Sequence, residues 1–270
     1  MKKILVLALA ALLCLGVMVG CGGAAEEELV TLKVGASPTP HAEILAQLKE
    51  DLKAEGINLE IVEYTDFVMP NTAVENGELD ANFFQHAPYM ENFNVEQGTH
   101  LVSVAAIHYE PMGVYAGKSS DLNNIPEGAK IAVPNDTTNE ARALLLLEEL
   151  GIIKLKEDAG LTATKLDIVE NAHNVEIIEA EAAQLPRSLP DVDFGVINGN
   201  YAIQAGMKAS DALAAEAKDA LAATTFANIL TVKEGNENNE AVLALVKAMQ
   251  SEKIKKYIEE TYEGAALPVF

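Results

Sequence analysis

The chain has 270 residues, and its 41 Asp and Glu against 19 Lys and Arg give a formal net charge of −22, which argues against nucleic acid or an anionic membrane face as partners. Two cysteines in that length exclude a disulfide scaffold and a cysteine metal cluster. With 49% hydrophobic residues there is enough apolar material for a large core or two lobes, and the low aromatic content without Trp suits an α/β body.

The amino terminus reads as a leader. Lys2 and Lys3 precede an apolar run over residues 4–19, which is short for a membrane-spanning helix and has the layout of a secretory signal peptide. Met18-Val19-Gly20-Cys21 resembles a lipobox, with Met18 where that motif usually has Leu. This predicts removal of residues 1–20 and acylation (palmitate-type lipidation) of Cys21, the alternative being an ordinary cleavage nearby that leaves an idle thiol. Loss of Lys2 and Lys3 takes the net charge from −22 to −24. Residues 21–31, with Glu26, Glu27 and Glu28 in a row, read as a solvated tether between lipid and domain.

From residue 32 the pattern alternates between strand and helix. A strand over 32–36 leads through Ser37-Pro-Thr-Pro-His41 into a helix with Ile44, Leu45, Leu48 and Leu52 at helical spacing, stopped by Gly56. Ile57, Leu59 and Ile61 alternate as a second strand, so strand, helix and strand open a parallel α/β sheet. A brief helix over 71–76 ends at Gly77, and a strand over 79–84 points Phe83 and Phe84 to opposite faces. Residues 85–88 then form a loop, with Pro88 opening a helix over 89–97. Loops at the carboxyl ends of such strands line the ligand crevice of open α/β sheets.

A strand over 101–106 follows, then His108-Tyr-Glu-Pro111 and a strand over 112–116. Beyond it come a strand over 130–133 and a helix over 139–150, whose Leu144 to Leu147 run is apolar on every side and predicts burial between layers. Short strands are expected over 168–170 and 177–179, a central strand over 194–197, a helix from 201, an alanine-rich helix over 209–222 and a returning strand over 229–232. Helices over 240–250 and 252–262 finish the chain.

The sequence carries no Gly-x-Ser-x-Gly elbow, no phosphate-cradling Gly-x4-Gly-Lys and no His-Glu-x-x-His. Its histidines, His41, His86, His100, His108 and His173, are dispersed and read as surface or loop residues, so neither a metal nor a cofactor is expected. Arg142 stands near the start of its helix, where free N–H groups and a guanidinium together suit a carboxylate; a surface ion pair with Glu140 or Glu149 fits equally well. Asn198 and Asn228 stand at strand ends where a crevice opens, or else make local turns.

Asp80-Ala-Asn-Phe-Phe-Gln-His-Ala-Pro-Tyr89 strongly resembles the matching stretch of the methionine-binding lipoproteins of methionine ABC importers, the NlpA lipoprotein family. The resemblance extends over residues 32–270 through Tyr64-Thr-Asp-Phe-Val-Met-Pro-Asn71, Pro134-Asn-Asp-Thr-Thr-Asn-Glu-Ala-Arg142, Gln184-Leu-Pro-Arg-Ser188, Val196-Ile-Asn-Gly-Asn-Tyr201 and Phe226-Ala-Asn-Ile-Leu230. Phe226 departs from the Tyr common at its place.

The resemblance implies a two-lobed periplasmic-binding-protein-like fold of type II, each lobe a mixed sheet flanked by helices, with residues 32–116 and 227–270 in lobe one and 117–226 in lobe two. It further implies Phe67, Phe84, His86 and Tyr89 around a ligand side chain, and Arg142 on its carboxylate. Asn198 and Asn228 would hold its backbone groups, with Glu110 near the ammonium. L-methionine is the expected ligand; D-methionine, another apolar amino acid or a methionine-containing dipeptide are alternatives. The expected protein is a monomer and not an enzyme, lipid-anchored on the extracellular or periplasmic side. It would deliver its cargo to an ABC permease driven by a separate ATPase. A metal-dependent lipoprotein hydrolase is the rival of another class.

Overall fold

The computed structural model describes residues 29–218 and 220–270, so the leader, Cys21 and most of the expected tether lie outside the described residues. Strand Val30–Ala36 pairs in parallel with both Ile57–Glu63 and Ala81–His86, the arrangement expected of strand-helix-strand units. Ala227–Lys233 then inserts antiparallel between Ala81–His86 and Leu101–Tyr109, and Leu267–Pro268 adds at the edge. The returning end of the chain thus completes a six-stranded sheet begun at its start.

A second, five-stranded sheet runs in the order Ala212–Ala215, Gly113–Ala116, Phe194–Ile197, Lys130–Pro134, Glu176–Ala180. Its first three strands are antiparallel to their neighbours and its last three parallel. Two mixed sheets with separate cores make the two-lobed α/β fold. The chain crosses between them twice, at residues 110–112 and again at 216–226.

The boundary expected after residue 116 therefore falls earlier. Gly113–Ala116 belongs to the second sheet, and Met112 and Val114 pack in the second core with Ile131, Phe194 and Val196. The alanine-rich helix expected over 209–222 is also different: Ala212–Ala215 is an edge strand, with Ala220–Thr225 a short helix after it. Helix propensity is a weak prior that tertiary pairing overrides, and the two strands come together closely. A Cβ on Gly113 would lie 3.2 Å from that of Ala212, so small residues suit this contact.

Each lobe is held by the apolar face that periodicity marks. In the first, Leu32 and Val34 pack with Ile44, Leu45, Leu48, Leu52 and Phe83; in the second, Leu144, Leu146 and Leu147 of helix Thr137–Glu149 pack on Ile131, Val133 and Phe194. A third cluster around Phe84, Tyr89, Met90 and Phe93 lies against the cleft, and Phe67 packs on both this cluster and one in the second lobe around Tyr201.

All of Ala81–His86 is buried, and helix Ala87–Gln97 begins directly after it with His86 as its N-cap, so the expected loop over 85–88 is absent. The polar members of that strand are satisfied. Asn71 and Gln85 exchange amide hydrogen bonds of 2.8 and 2.6 Å, and Asn82 donates to Asn71 at 2.8 Å. A fully paired amide cluster is a rigid support for the strand end.

Candidate functional site

The seven residues singled out above converge. Phe67, Phe84, His86 and Tyr89 from the first lobe, Arg142 and Asn198 from the second, and Asn228 at the start of the returning strand line one cleft, with Gln85, Glu110, Asn139, Gly199 and Asn200. About 340 Å³ of space lies between these walls, part of it open to solvent.

One end is aromatic. Phe67 lies 5.7 Å from Phe84, 5.8 Å from Tyr89 and 4.9 Å from Tyr201 by ring centroids, and Tyr89 Oη donates to the Phe67 carbonyl at 3.0 Å. Tyr201 Oη of the second lobe donates to the Thr65 carbonyl of the first at 3.1 Å, closing that side of the cleft.

The other end is polar, and its orientation can be followed atom by atom. Asp136 caps helix Thr137–Glu149, its Oδ1 accepting from the Asn139 backbone N–H at 3.0 Å and from Asn139 Nδ2 at 2.8 Å. That fixes the Asn139 amide so that Oδ1 accepts from Asn198 Nδ2 at 2.8 Å. Among the described residues, Asn198 Oδ1 is then left buried without a hydrogen-bond partner, as is Asn200 Nδ2.

His86 Nδ1 accepts from the Tyr89 N–H at 3.2 Å, so the proton sits on Nε2 and is donated across the cleft to Asn139 Oδ1, also at 3.2 Å. Burial first and the Arg142 charge second lower the His86 pKa to about 3, which keeps this tautomer neutral. Asn139 was not evident from sequence, because an amide in the first turn of a helix has the same pattern as solvated surface.

Beneath the cleft, three buried groups meet. His108 Nε2 lies 2.6 Å from Glu110 Oε1, and His41 Nε2 lies 3.5 Å from the same oxygen and 2.8 Å from Asn228 Oδ1. Burial lowers the His41 pKa to about 4 and that of His108 to about 3, and raises that of Glu110. His41, His86 and His108 are therefore core residues and not the surface or loop residues expected; the groups that pack on them, such as Phe83 and Asn228 on His41 and Asn139 on His86, lie far away in the sequence.

His41, His108 and Glu110 have the chemistry of a metal-ligand set. Two donors each about 2.0–2.2 Å from a tetrahedral zinc stand well over 3 Å apart, and each ligand imidazole ordinarily donates its second N–H to an acceptor. Here one separation is 2.6 Å and both Nδ1 atoms lack partners among the described residues, so the group fits a hydrogen-bonded cluster better. Gly199 permits the approach of the Asn198–Asn200 turn to it: a Cβ there would lie 2.7 Å from Glu110 Cβ.

Arg142 is buried, and its partner is neither Glu140 nor Glu149. Its Nε and Nη2 each donate to the Glu216 carboxylate at 2.6 Å, and Nη2 also donates to the Glu110 carbonyl at 2.9 Å. The Phe226 ring lies 4.3 Å from the guanidinium. Glu216, which follows an alanine strand, had no distinguishing signal in sequence.

Two lobes joined by two connections, enclosing a cleft with one aromatic and one hydrogen-bonding end, have the architecture of a substrate-binding protein. The comparisons define the group more closely. The chain belongs to the NlpA lipoprotein family, whose model matches residues 32–270. It is 45% identical over 235 residues to membrane lipoprotein TpN32 of Treponema pallidum, covering 87% of this chain and 86% of that protein. Identity to the D-methionine-binding lipoprotein MetQ of Escherichia coli K12 is 38% over 256 residues, or 93% and 92% of the two chains. A nutrient-binding protein from Burkholderia cenocepacia, solved bound to methionine, superposes with a TM-score of 0.84 at 42% identity, over 88% of this chain and all of that one.

Proposed function

We propose that this protein is the solute-binding component of a methionine ABC importer, taking L-methionine into the cleft between its lobes and presenting it to a membrane permease driven by a separate ATPase. The observation that carries the reading is the polarity of the site. Arg142 Nη1 makes no hydrogen bond to a described residue, and Asn200 Nδ2 is an unpaired donor. Asn228, whose Oδ1 is taken by His41, offers its amide nitrogen beside them.

These donors suit a carboxylate, while Asn198 Oδ1 and Glu110 suit an ammonium. The aromatic end suits a thioether, which gains on the order of 0.3–1.5 kcal/mol per aromatic contact. D-methionine is inside this reading as well, since the Escherichia coli relative MetQ is named for the D form.

We read the protein as a binder and not an enzyme, because the buried histidines are spent on orienting Asn139, Asn228 and Glu110. Cys21 would carry the lipid that holds the domain to the outer or periplasmic face of the membrane; no helix among the described residues is long and apolar enough to cross a membrane.

Calorimetric titration of the purified chain, unfolded and refolded to strip carried-over ligand, tests the proposal against L-methionine, D-methionine and other apolar amino acids. Saturable one-to-one binding that favours L-methionine is expected. Failure of all of these to bind, with chelator-sensitive hydrolytic turnover instead, would return the rival metal-dependent reading.

A further inference from the structure

An arginine that receives a ligand carboxylate is usually pictured as a free cation. Arg142 is not one. Of its five N–H donors, Nε and one on Nη2 bind the Glu216 carboxylate, the second on Nη2 binds the Glu110 carbonyl, and only Nη1 is left without a described partner. Glu216 is equally engaged: its Oε2 also accepts from Tyr109 Oη at 2.9 Å and from the Met112 N–H at 2.8 Å. Its own N–H donates to the Met112 carbonyl at 2.9 Å. Side-chain exposures of 5% and 9% place this ion pair well inside the protein, where water screens it little.

We propose that Glu216 is a specificity-determining residue: by standing as a permanent first carboxylate on Arg142, it makes the cleft select ligands that carry an ammonium and reject carboxylates that lack one. The proposal rests on the reading of the cleft as an amino-acid site. Arg142 and Glu216 cancel, Glu110 adds no positive charge in either protonation state, and His41, His86 and His108 are neutral by burial. The site therefore holds no net positive charge to offset a lone anion brought out of water.

An α-amino acid supplies its own cation. Its ammonium meets Asn198 Oδ1, which is otherwise buried and unpaired, and Glu110. A carboxylate without the ammonium leaves those acceptors orphaned and also finds only one nitrogen of the arginine. Glu216 lies at the start of the second connection and bonds to the first through Met112, so the charge that sets this selectivity is fixed at the crossing between lobes.

The test uses the full chain in detergent, stripped of ligand, titrated with L-methionine, L-methioninamide, which lacks the carboxylate, and 4-(methylthio)butanoate, which lacks the ammonium. In the wild type the amide should bind at least about tenfold more tightly than the acid, the order opposite to that of a site with a free cation. In Glu216→Gln the preference for methionine over 4-(methylthio)butanoate should shrink by about tenfold or more.

An acid that binds the wild type as tightly as the amide, or a preference unchanged in Glu216→Gln, would overturn the proposal. The wild-type comparison decides by itself if the variant does not fold. Absence of methionine binding by the wild type is a separate result, which removes the amino-acid reading and this proposal with it.

Discussion

Arg142 and Asn228 are the two residues whose removal most directly tests the polar end of the cleft, and they differ in what else they hold. Arg142→Ala strips the counter-ion from a Glu216 side chain that is 9% exposed, and breaking a buried pair in this way costs about 3–5 kcal/mol of stability. Loss of ligand binding in that variant would be mixed with loss of fold. Asn228→Ala is cleaner, because His41 Nε2 still has Glu110 Oε1 at 3.5 Å. A hydrogen bond to a charged group contributes about 1.5–3 kcal/mol, so Asn228→Ala should weaken methionine binding by roughly ten- to a hundredfold. Calorimetry reads the loss, and a thermal midpoint within a few degrees of wild type shows that the fold is kept.

At the level of elements, the helix Thr137–Glu149 carries both Asn139 and Arg142 into the cleft, and its N-cap is the origin of the amide orientation. Asp136→Ala removes the acceptor of the Asn139 N–H and of Asn139 Nδ2 together. The lost cap should cost about 1 kcal/mol, a fall of roughly 2–4 °C in a domain of this size. Methionine affinity should fall as well, since Asn139 is then free to turn its amide and Asn198 loses its fixed polarity. Asp136→Asn keeps Oδ1 and should restore both thermal midpoint and affinity; a variant that recovers stability without affinity would show that the relay through Asn139 is not what orients the site. Much of this level was legible beforehand. Ile57 and Leu59 alternate as the strand Ile57–Glu63 requires, and Gly56 and Gly77 stop helices at positive φ. Part of the cleft's outline was legible too, because His86 ends the strand Ala81–His86, Asn198 follows Phe194–Ile197 and Asn228 stands near the start of Ala227–Lys233, where an α/β crevice opens. Not legible were Asn139, His41 and Glu216, whose roles depend on partners 59, 187 and 74 positions away in the chain. The alanine run misled for the same reason: edge pairing with Gly113–Ala116 decides its form, and local propensity cannot register a strand contributed from a hundred residues earlier.

For the whole molecule, three fully buried neutral histidines make stability depend on pH in a direction set by burial. Their pKa values, about 4 for His41 and about 3 for His86 and His108, lie below the roughly 6.5 of an unfolded histidine. The unfolded chain therefore binds more protons as pH falls through 6.5, and the folded state loses stability progressively down to the folded pKa values. At pH 5 each such histidine costs about 2 kcal/mol. Glu140 works the other way: burial raises its pKa to about 7, so its contribution grows as pH falls toward the ordinary carboxyl range, and the raised Glu110 acts in the same sense. Three histidines outweigh two carboxyls, so the urea midpoint should fall between pH 7 and pH 5. His108→Asn should make that decline shallower by up to one proton per molecule, read from the slope of unfolding free energy against pH. A slope that is unchanged in the variant would mean that His108 is already protonated in the fold and bound to Glu110 as an ion pair. Such a pair carries no net charge, since the Glu110 carboxylate cancels the imidazolium 2.6 Å away, so the selection for an ammonium set by Glu216 would be the same in either protonation state of the pair.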